Sequence, residues 1–265
     1  MRLAFSTLGV PGLPISEVVR LAADTGFHGV ELRAHPEEPV HPGLSLTKRV
    51  EVVEQFKAAG IEILALAGYA KAAAPGDDDD FLRETRGLLE LARDLGAPWV
   101  RVFPGGGDSG AAEAEATAVR RLSTVAPLAA DLGARVLLET HDSHRTGAAA
   151  APILREVDSP WVGSLWDVMH SWLGGEQPEE TLRQLAPYLG YVQVKDIASA
   201  ADTTPLPPGA GVLPLAEVTE LLSRAGWDGW LCWEYEKRWY PDVPDLAEAL
   251  GSVREHLLRL LSAAA

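Results

Sequence analysis

Cysteine is nearly absent from this 265-residue chain: Cys232 stands alone, between Leu231 and Trp233. That excludes an intrachain disulfide framework and every zinc motif built on paired cysteines. Basic residues are also scarce. With 23 Lys and Arg against 38 Asp and Glu, the formal charge is −15. Such a field repels phosphate backbones and anionic lipid surfaces, so neither nucleic acid nor membrane is expected as a partner. No apolar run approaches the ~18 residues of a membrane span, and residues 1–6 carry no secretory pattern. The expectation is a soluble, cytoplasmic protein. A GxGxxG turn is missing as well: Thr7-Leu8-Gly9-Val10-Pro11-Gly12 follows the first apolar run, which argues against a dinucleotide-binding open sheet.

What is present is alternation. Short β-like runs at 3–6, 29–32, 61–67, 99–103, 135–139, 162–167, 191–195 and 230–234 are separated by stretches of helical spacing, among them 16–25, 46–59, 81–95, 111–132 and 245–261. Ser16 reads as the cap of the first helix, and Gly26 and Gly133 as left-handed stops. The acidic run 77–80 reads as a helix start, where carboxylates meet the positive end of the helix dipole. Eight β-then-α units in a chain of this length predict an α/β fold, a (β/α)8 TIM barrel, as a single domain over residues 1–265.

Barrel chemistry collects at the C-terminal ends of the strands. Those ends bring Glu139, Asp167, Gln193 and Glu234 from four consecutive strands to one half of the mouth. Carboxylates leaving apolar strands repel one another and resist desolvation unless a positive charge neutralises them. A divalent cation meets that need, and this oxygen-rich set suits a hard ion with open positions better than structural zinc. Singly, a strand-end Glu is more often a salt-bridge partner or helix cap than a ligand; four on neighbouring strands are less easily explained that way. His170, three residues past Asp167, is a substrate contact, a second metal ligand or a helix cap; His141 and His144 are rim or loop residues. Lys195 and Asp196 read as a structural pair, with Lys195 also placed to face an anionic intermediate. Seven of the eight tryptophans, Trp166 among them, fall near strands six and eight, where indole faces suit the C–H faces of a polyol and core packing claims at least half. Glu31, His35 and Arg101 are candidates on the opposite rim, and the glycines at 105–107 are a substrate contact or a flexible turn.

At these residues the chain resembles the xylose isomerase-like TIM barrels, the sugar phosphate isomerase/epimerase superfamily that also contains endonuclease IV. The resemblance runs from Phe27-His28-Gly29-Val30-Glu31-Leu32 through Leu138-Glu139-Thr140-His141, Asp167-Val168-Met169-His170 and Val192-Gln193-Val194-Lys195-Asp196 to Pro208-Gly209-Ala210-Gly211 and Glu234-Tyr235-Glu236. It implies one Mn²⁺, Mg²⁺ or Co²⁺ ion, with Mn²⁺ or Mg²⁺ ahead of Co²⁺ and Zn²⁺ behind. Its ligands would be Glu139, Asp167 and Glu234, with Gln193 where the family's epimerases carry His. It implies a sugar or polyol substrate touched by His170, His141, Lys195, Trp166 and Arg101. Glu139 and Glu234 would remove and return a proton through an enediolate, giving isomerisation or epimerisation. Dehydration of an inosose type, or a catalytically silent sugar-binding barrel, are the alternatives. Ala210 departs from the family's Pro-Gly-Glu-Gly. Endonuclease chemistry is disfavoured by seven His in all and by the acidic charge. A homo-oligomer is compatible with the sequence.

Overall fold

Strands and helices alternate along the chain, and the strands close on themselves. The computed structural model describes residues 1–107 and 110–264. In chain order the elements are β1 (Arg2–Ser6), α1 (Ile15–Thr25), β2 (Gly29–Arg33), α2 (Leu46–Ala59), β3 (Glu62–Lys71), α3 (Asp78–Leu95), β4 (Trp99–Phe103), α4 (Ala111–Leu132), β5 (Arg135–Glu139) and α5 (Gly147–Val157). Then come β6 (Val162–Asp167), α6 (Val168–Leu173), α7 (Pro178–Leu185), β7 (Leu189–Val194), β8 (Asp196–Ser199), β9 (Asp202–Leu206), α8 (Leu215–Arg224), β10 (Trp230–Trp233) and α9 (Leu246–Ala263). Eight parallel strands form a closed barrel in the order β1-β10-β7-β6-β5-β4-β3-β2. This is the (β/α)8 TIM barrel that the alternation predicts.

Period-two alternation explains how each strand serves both the barrel interior and the helix layer. On β7, Tyr191 packs inward with Ala4, Leu137, Leu165 and Cys232, whereas Val192 and Val194 belong to the outer core under the helices. The inner apolar cluster fills the lower barrel. Side chains at the next inward positions, Glu31, Arg101, Glu139, Asp167 and Gln193, are polar and buried. The site therefore rests on a dry floor.

Local sequence accounts for most boundaries. Gly26 and Gly133 end α1 and α4 at φ 74° and 70°, a region that strains residues bearing a Cβ. Asp77 caps α3, its carboxylate accepting from Asp79 N at 3.1 Å, as the acidic run predicts. Ser16 is not a cap. The helix α1 already begins at Ile15, behind Pro14, with no side-chain cap bond. Two elements are additional: α6, and the antiparallel β8–β9 hairpin that leads into the Pro-Gly-Ala-Gly segment. Among the described residues no helix is long and apolar enough to cross a membrane.

Candidate functional site

The C-terminal strand ends surround a cavity of about 410 Å³, lined in part by Arg101, Glu139, His141, His170, Glu234 and Trp239. Asp167 and Gln193 do not line it; they are register partners on β6 and β7, both fully buried. Glu234 follows the last residue of β10. The structure thus gathers the predicted strand-end acids, and adds a residue assigned by sequence to the far rim: Glu31. Closure of the barrel places Glu31 against Gln193, whose Nε2 donates to Glu31 Oε2 at 2.9 Å and to Glu234 Oε1 at 3.1 Å. Tyr191 OH donates to the same Glu31 oxygen.

Two cations offset part of the charge of this layer. Arg101 Nη1 donates to Glu139 Oε2 at 2.8 Å, with its guanidinium carbon 3.9 Å from the centre of the Phe103 ring. Lys195 Nζ lies 2.8 Å from Asp167 Oδ2 and 2.8 Å from Glu236 Oε1, and bonds Glu234 Oε2. Lys195 and Asp196 are not a pair: they face opposite sides of the chain. Asp196 Oδ2 instead accepts from Gly209 N and Gly211 N, each at 2.9 Å, and so folds the Pro-Gly-Ala-Gly turn.

Burial pushes the Glu139 carboxyl up to about 7, although Arg101 and His141 pull it down. Burial raises Glu31 also, and the charge of Glu234 adds to the shift. For Lys195, burial works against the ammonium, but the carboxylates of Asp167, Glu234 and Glu236 overcome it and hold the pKa well above the ordinary lysine value. Burial lowers His170 well below its usual range, helped by repulsion from His141 and Lys195, so the ring is neutral. For His141, burial also opposes charge, but its bond to Asp142 and the charge of Glu139 raise it.

The loops after β4 and β5 support the histidines. Asp142, at φ 31°, holds His141 Nδ1 at 3.1 Å and accepts from Gly105 N at 2.9 Å. Gly105 and Gly106 therefore serve a loop-to-loop stitch, and none of the glycines at 105–107 lines the cavity. His141 and His170 have ring centres 4.0 Å apart, and each offers a ligand atom within 4.8 Å of one on Glu139. Trp166 does not reach the cavity. It projects outward from β6 into the core beneath the helices, and its Nε1 donates to Ser171 Oγ at 2.9 Å. Only Trp239 of the tryptophans lines the cavity. Tyr69, Phe103 and Glu236 also line it; all three went unassigned in the sequence, although Phe103 and Glu236 continue the inward register of β4 and β10.

The residues fit a divalent ion. Gln193 Oε1 is buried without a hydrogen-bond donor, and the buried Asp167 Oδ2 has only the Lys195 ammonium, at 2.8 Å, as its counter-charge. A buried oxygen left without a donor calls for a cation or a bound donor. Among the described residues, the acidic and histidine side chains whose ligand atoms already converge within one ion's reach are Glu139, His141 and His170. Glu139, Asp167 and Glu234 do not converge as a trio, because Arg101 and Lys195 divide them between two ion pairs.

The sequence profile of the xylose isomerase-like TIM barrel family matches residues 19–256, and the chain belongs to that family. It is 27% identical over 248 residues to a putative hydroxypyruvate isomerase of Streptomyces coelicolor, covering 84% of this chain and 86% of that one. It is 26% identical over 193 residues to a 3-dehydroshikimate dehydratase of Bacillus anthracis, covering 71% and 68%. Among solved structures, the IolI protein with a bound zinc atom superposes with a TM-score of 0.85 at 20% identity, covering 100% of this chain and 99% of that one. D-Psicose 3-epimerase from Clostridium cellulolyticum H10, with D-tagatose, superposes with a TM-score of 0.84 at 16% identity, covering 98% and 99%. At these identities the structural likeness shows the barrel.

Proposed function

We propose that this member of the xylose isomerase-like TIM barrel family is a divalent-metal-dependent isomerase or epimerase of a ketose or related keto-polyol. The observation that carries the reading is that Glu139 and Glu234, on strands separated by β6 and β7, line the same cavity. Carboxylates entering from two sides can remove a proton beside a carbonyl and return it to the other face or the neighbouring carbon. In the metal-free protein burial pushes the Glu139 carboxyl up to about 7, and a cation bound beside it would pull it back down. Neutral His170 can hydrogen-bond a hydroxyl without adding charge. Trp239 and Tyr69 offer faces for the C–H side of a sugar. Arg101 keeps Glu139 oriented and, with Lys195, limits the negative charge that meets an enediolate.

Glu139, Asp167, Gln193 and Glu234 would hold the ion, and the orphaned oxygen of Gln193 supports that assignment. A divalent ion there supplies Lewis-acid polarisation of a substrate carbonyl and hydroxyl. The oxygen-rich set favours Mn²⁺ or Mg²⁺ over Zn²⁺. The convergence of Glu139, His141 and His170 supports a second location. Elemental analysis separates the two: Asp167→Ala should lose the ion and His170→Ala keep it, and the reverse pattern would move the site to the histidines.

Relatedness to a 3-dehydroshikimate dehydratase favours one alternative outcome at the same site, loss of hydroxide from the enediolate. Incubation in deuterated water with ketoses, hydroxypyruvate, inososes and 3-dehydroshikimate tests both. Deuterium entering the carbon next to the carbonyl, with an isomeric product, supports the isomerase reading. Formation of an unsaturated or aromatic product replaces it by the dehydratase. Absence of exchange with every substrate in metal-loaded protein would sink the proton-transfer chemistry.

A further inference from the structure

We propose that Glu31 is a positioning residue that sets which end of the Gln193 amide faces the ion site. The inference rests on the ligand role proposed for Gln193. A primary amide fits its space equally well in either orientation, and only its neighbours decide which end is the donor. Here two carboxylate oxygens, Glu31 Oε2 at 2.9 Å and Glu234 Oε1 at 3.1 Å, accept from Nε2. The amide oxygen is thereby left buried and without a donor. That is the end able to serve as a neutral metal ligand; the NH₂ end has no lone pair to offer.

The two acceptors are not equivalent. Glu234 lines the cavity, is bonded by Lys195 and is the proposed proton carrier, so its bond to Gln193 changes as the site is used. Glu31 does not line the cavity and is fully buried on β2. Tyr191 anchors it by donating to the oxygen that accepts from Gln193, and the Tyr191 ring is itself stacked on Trp99 with centres 5.5 Å apart. Glu31 is the constant acceptor. A Gln in its place carries both a donor and an acceptor, so it bonds Gln193 in either orientation and the selection is lost.

Manganese titration of metal-free protein, read from the EPR signal of free Mn²⁺, tests this. Glu31→Gln should weaken Mn²⁺ binding by about 10–100-fold, the usual cost of losing a group that orients a ligand. Gln193→Met should weaken it too, and Glu31→Gln should add nothing in the Gln193→Met background. Tyr191→Phe, which leaves the Glu31–Gln193 bond in place, should change the affinity by less than about threefold, well short of the Glu31→Gln effect. Unchanged affinity in Glu31→Gln overturns the proposal. So does a full additional loss on top of Gln193→Met, which would mean that Glu31 acts by another route. Unchanged affinity in Gln193→Met alone overturns the ligand role of Gln193, and the inference with it. A further measurement needs no variant at Glu31 to fold. In metal-free wild-type protein the Gln193 side-chain NH₂ resonances, identified by their loss in Gln193→Met, should exchange with solvent far more slowly than those of exposed Gln177. Equal exchange would overturn the proposal.

Discussion

Two buried cationic systems in this barrel are built on opposite terms. Arg121, on α4 and 2% exposed, reaches under the loop after β3. Its Nε donates to Asp78 Oδ1 at 2.8 Å, Nη1 to the carbonyls of Lys71 and Ala74 at 3.1 and 2.8 Å, and Nη2 to those of Gly76 and Asp77 at 3.0 and 2.8 Å. Every nitrogen is used. In the barrel mouth, Arg101 and Lys195 face more charge, yet Arg101 Nε, Glu31 Oε1 and Gln193 Oε1 have no hydrogen-bond partner. A finished hydrogen-bond network holds a loop; an unfinished one of equal burial is held open for a ligand.

Mutating each system should separate activity from stability, and the largest effect belongs to the mouth. Glu139→Gln and Glu234→Gln should each lower turnover per folded molecule by about two to four orders of magnitude, beyond any loss of stability from weakening their buried ion pairs with Arg101 and Lys195. Wild-type rates of solvent deuterium exchange in a metal-loaded Glu234→Gln variant would remove Glu234 from the proton-transferring pair. Arg121→Met should do the reverse. It leaves the carbonyls of Lys71, Ala72, Ala74, Gly76 and Asp77 without their donor and Asp78 with Arg120 alone, and should cost about 3–5 kcal/mol in urea unfolding, while turnover per folded molecule stays within about twofold of wild type. A catalytic defect larger than the stability defect would erase the distinction drawn between the two systems.

Lys195→Met tests whether a cation is interchangeable in the mouth. Removing the ammonium strands Asp167, Glu234 and Glu236, and should destabilise the metal-free protein by about 3 kcal/mol. Saturating Mn²⁺ should restore most of that, since an ion at 100 times its Kd contributes about 2.7 kcal/mol. Loss of stability that Mn²⁺ does not relieve would show that Lys195 and the ion occupy unrelated places.

Much of the mouth, though none of the Arg121 clamp, was legible in the sequence, because strand ends in a barrel are identified by their order alone. The inward positions Glu139, Asp167 and Gln193 follow from period-two alternation. Glu31 was assigned to the opposite rim, since nothing local reveals that closure brings β2 within hydrogen-bonding distance of a residue 162 positions away. Trp166 was misread for a different reason. Being next to Asp167, it points the other way, and its size belongs to the outer core. The short helix α6 escaped notice because Asp167 is both a site residue and its cap, accepting from Met169 N at 2.8 Å. The β8–β9 hairpin carries little apolar alternation and is followed by Pro207 and Pro208, so its pattern reads as loop.

The smallest expected effect is one of pH, and it belongs to the finished system. Arg120 and Arg121 donate three hydrogen bonds of 2.7–2.8 Å to Asp78 and hold its carboxyl well below the usual carboxylate range. A folded pKa below the unfolded value of about 3.9 means that the unfolded chain binds the proton more tightly. The stabilisation is therefore complete above that value and is lost as pH falls through it toward the folded pKa. Asp78 is 29% exposed and Arg120 53%, so water and salt screen the interaction, and about 1 kcal/mol is the most it should contribute. Asp78→Asn should be less stable than wild type by that amount at pH 7, and the gap should narrow between about pH 4 and pH 2. Urea unfolding across that range is the measurement. A gap that stays constant down to pH 2 would mean that Asp78 stabilises α3 as a cap-region dipole, independent of its charge, and that the Arg121 clamp is held by its carbonyl contacts alone.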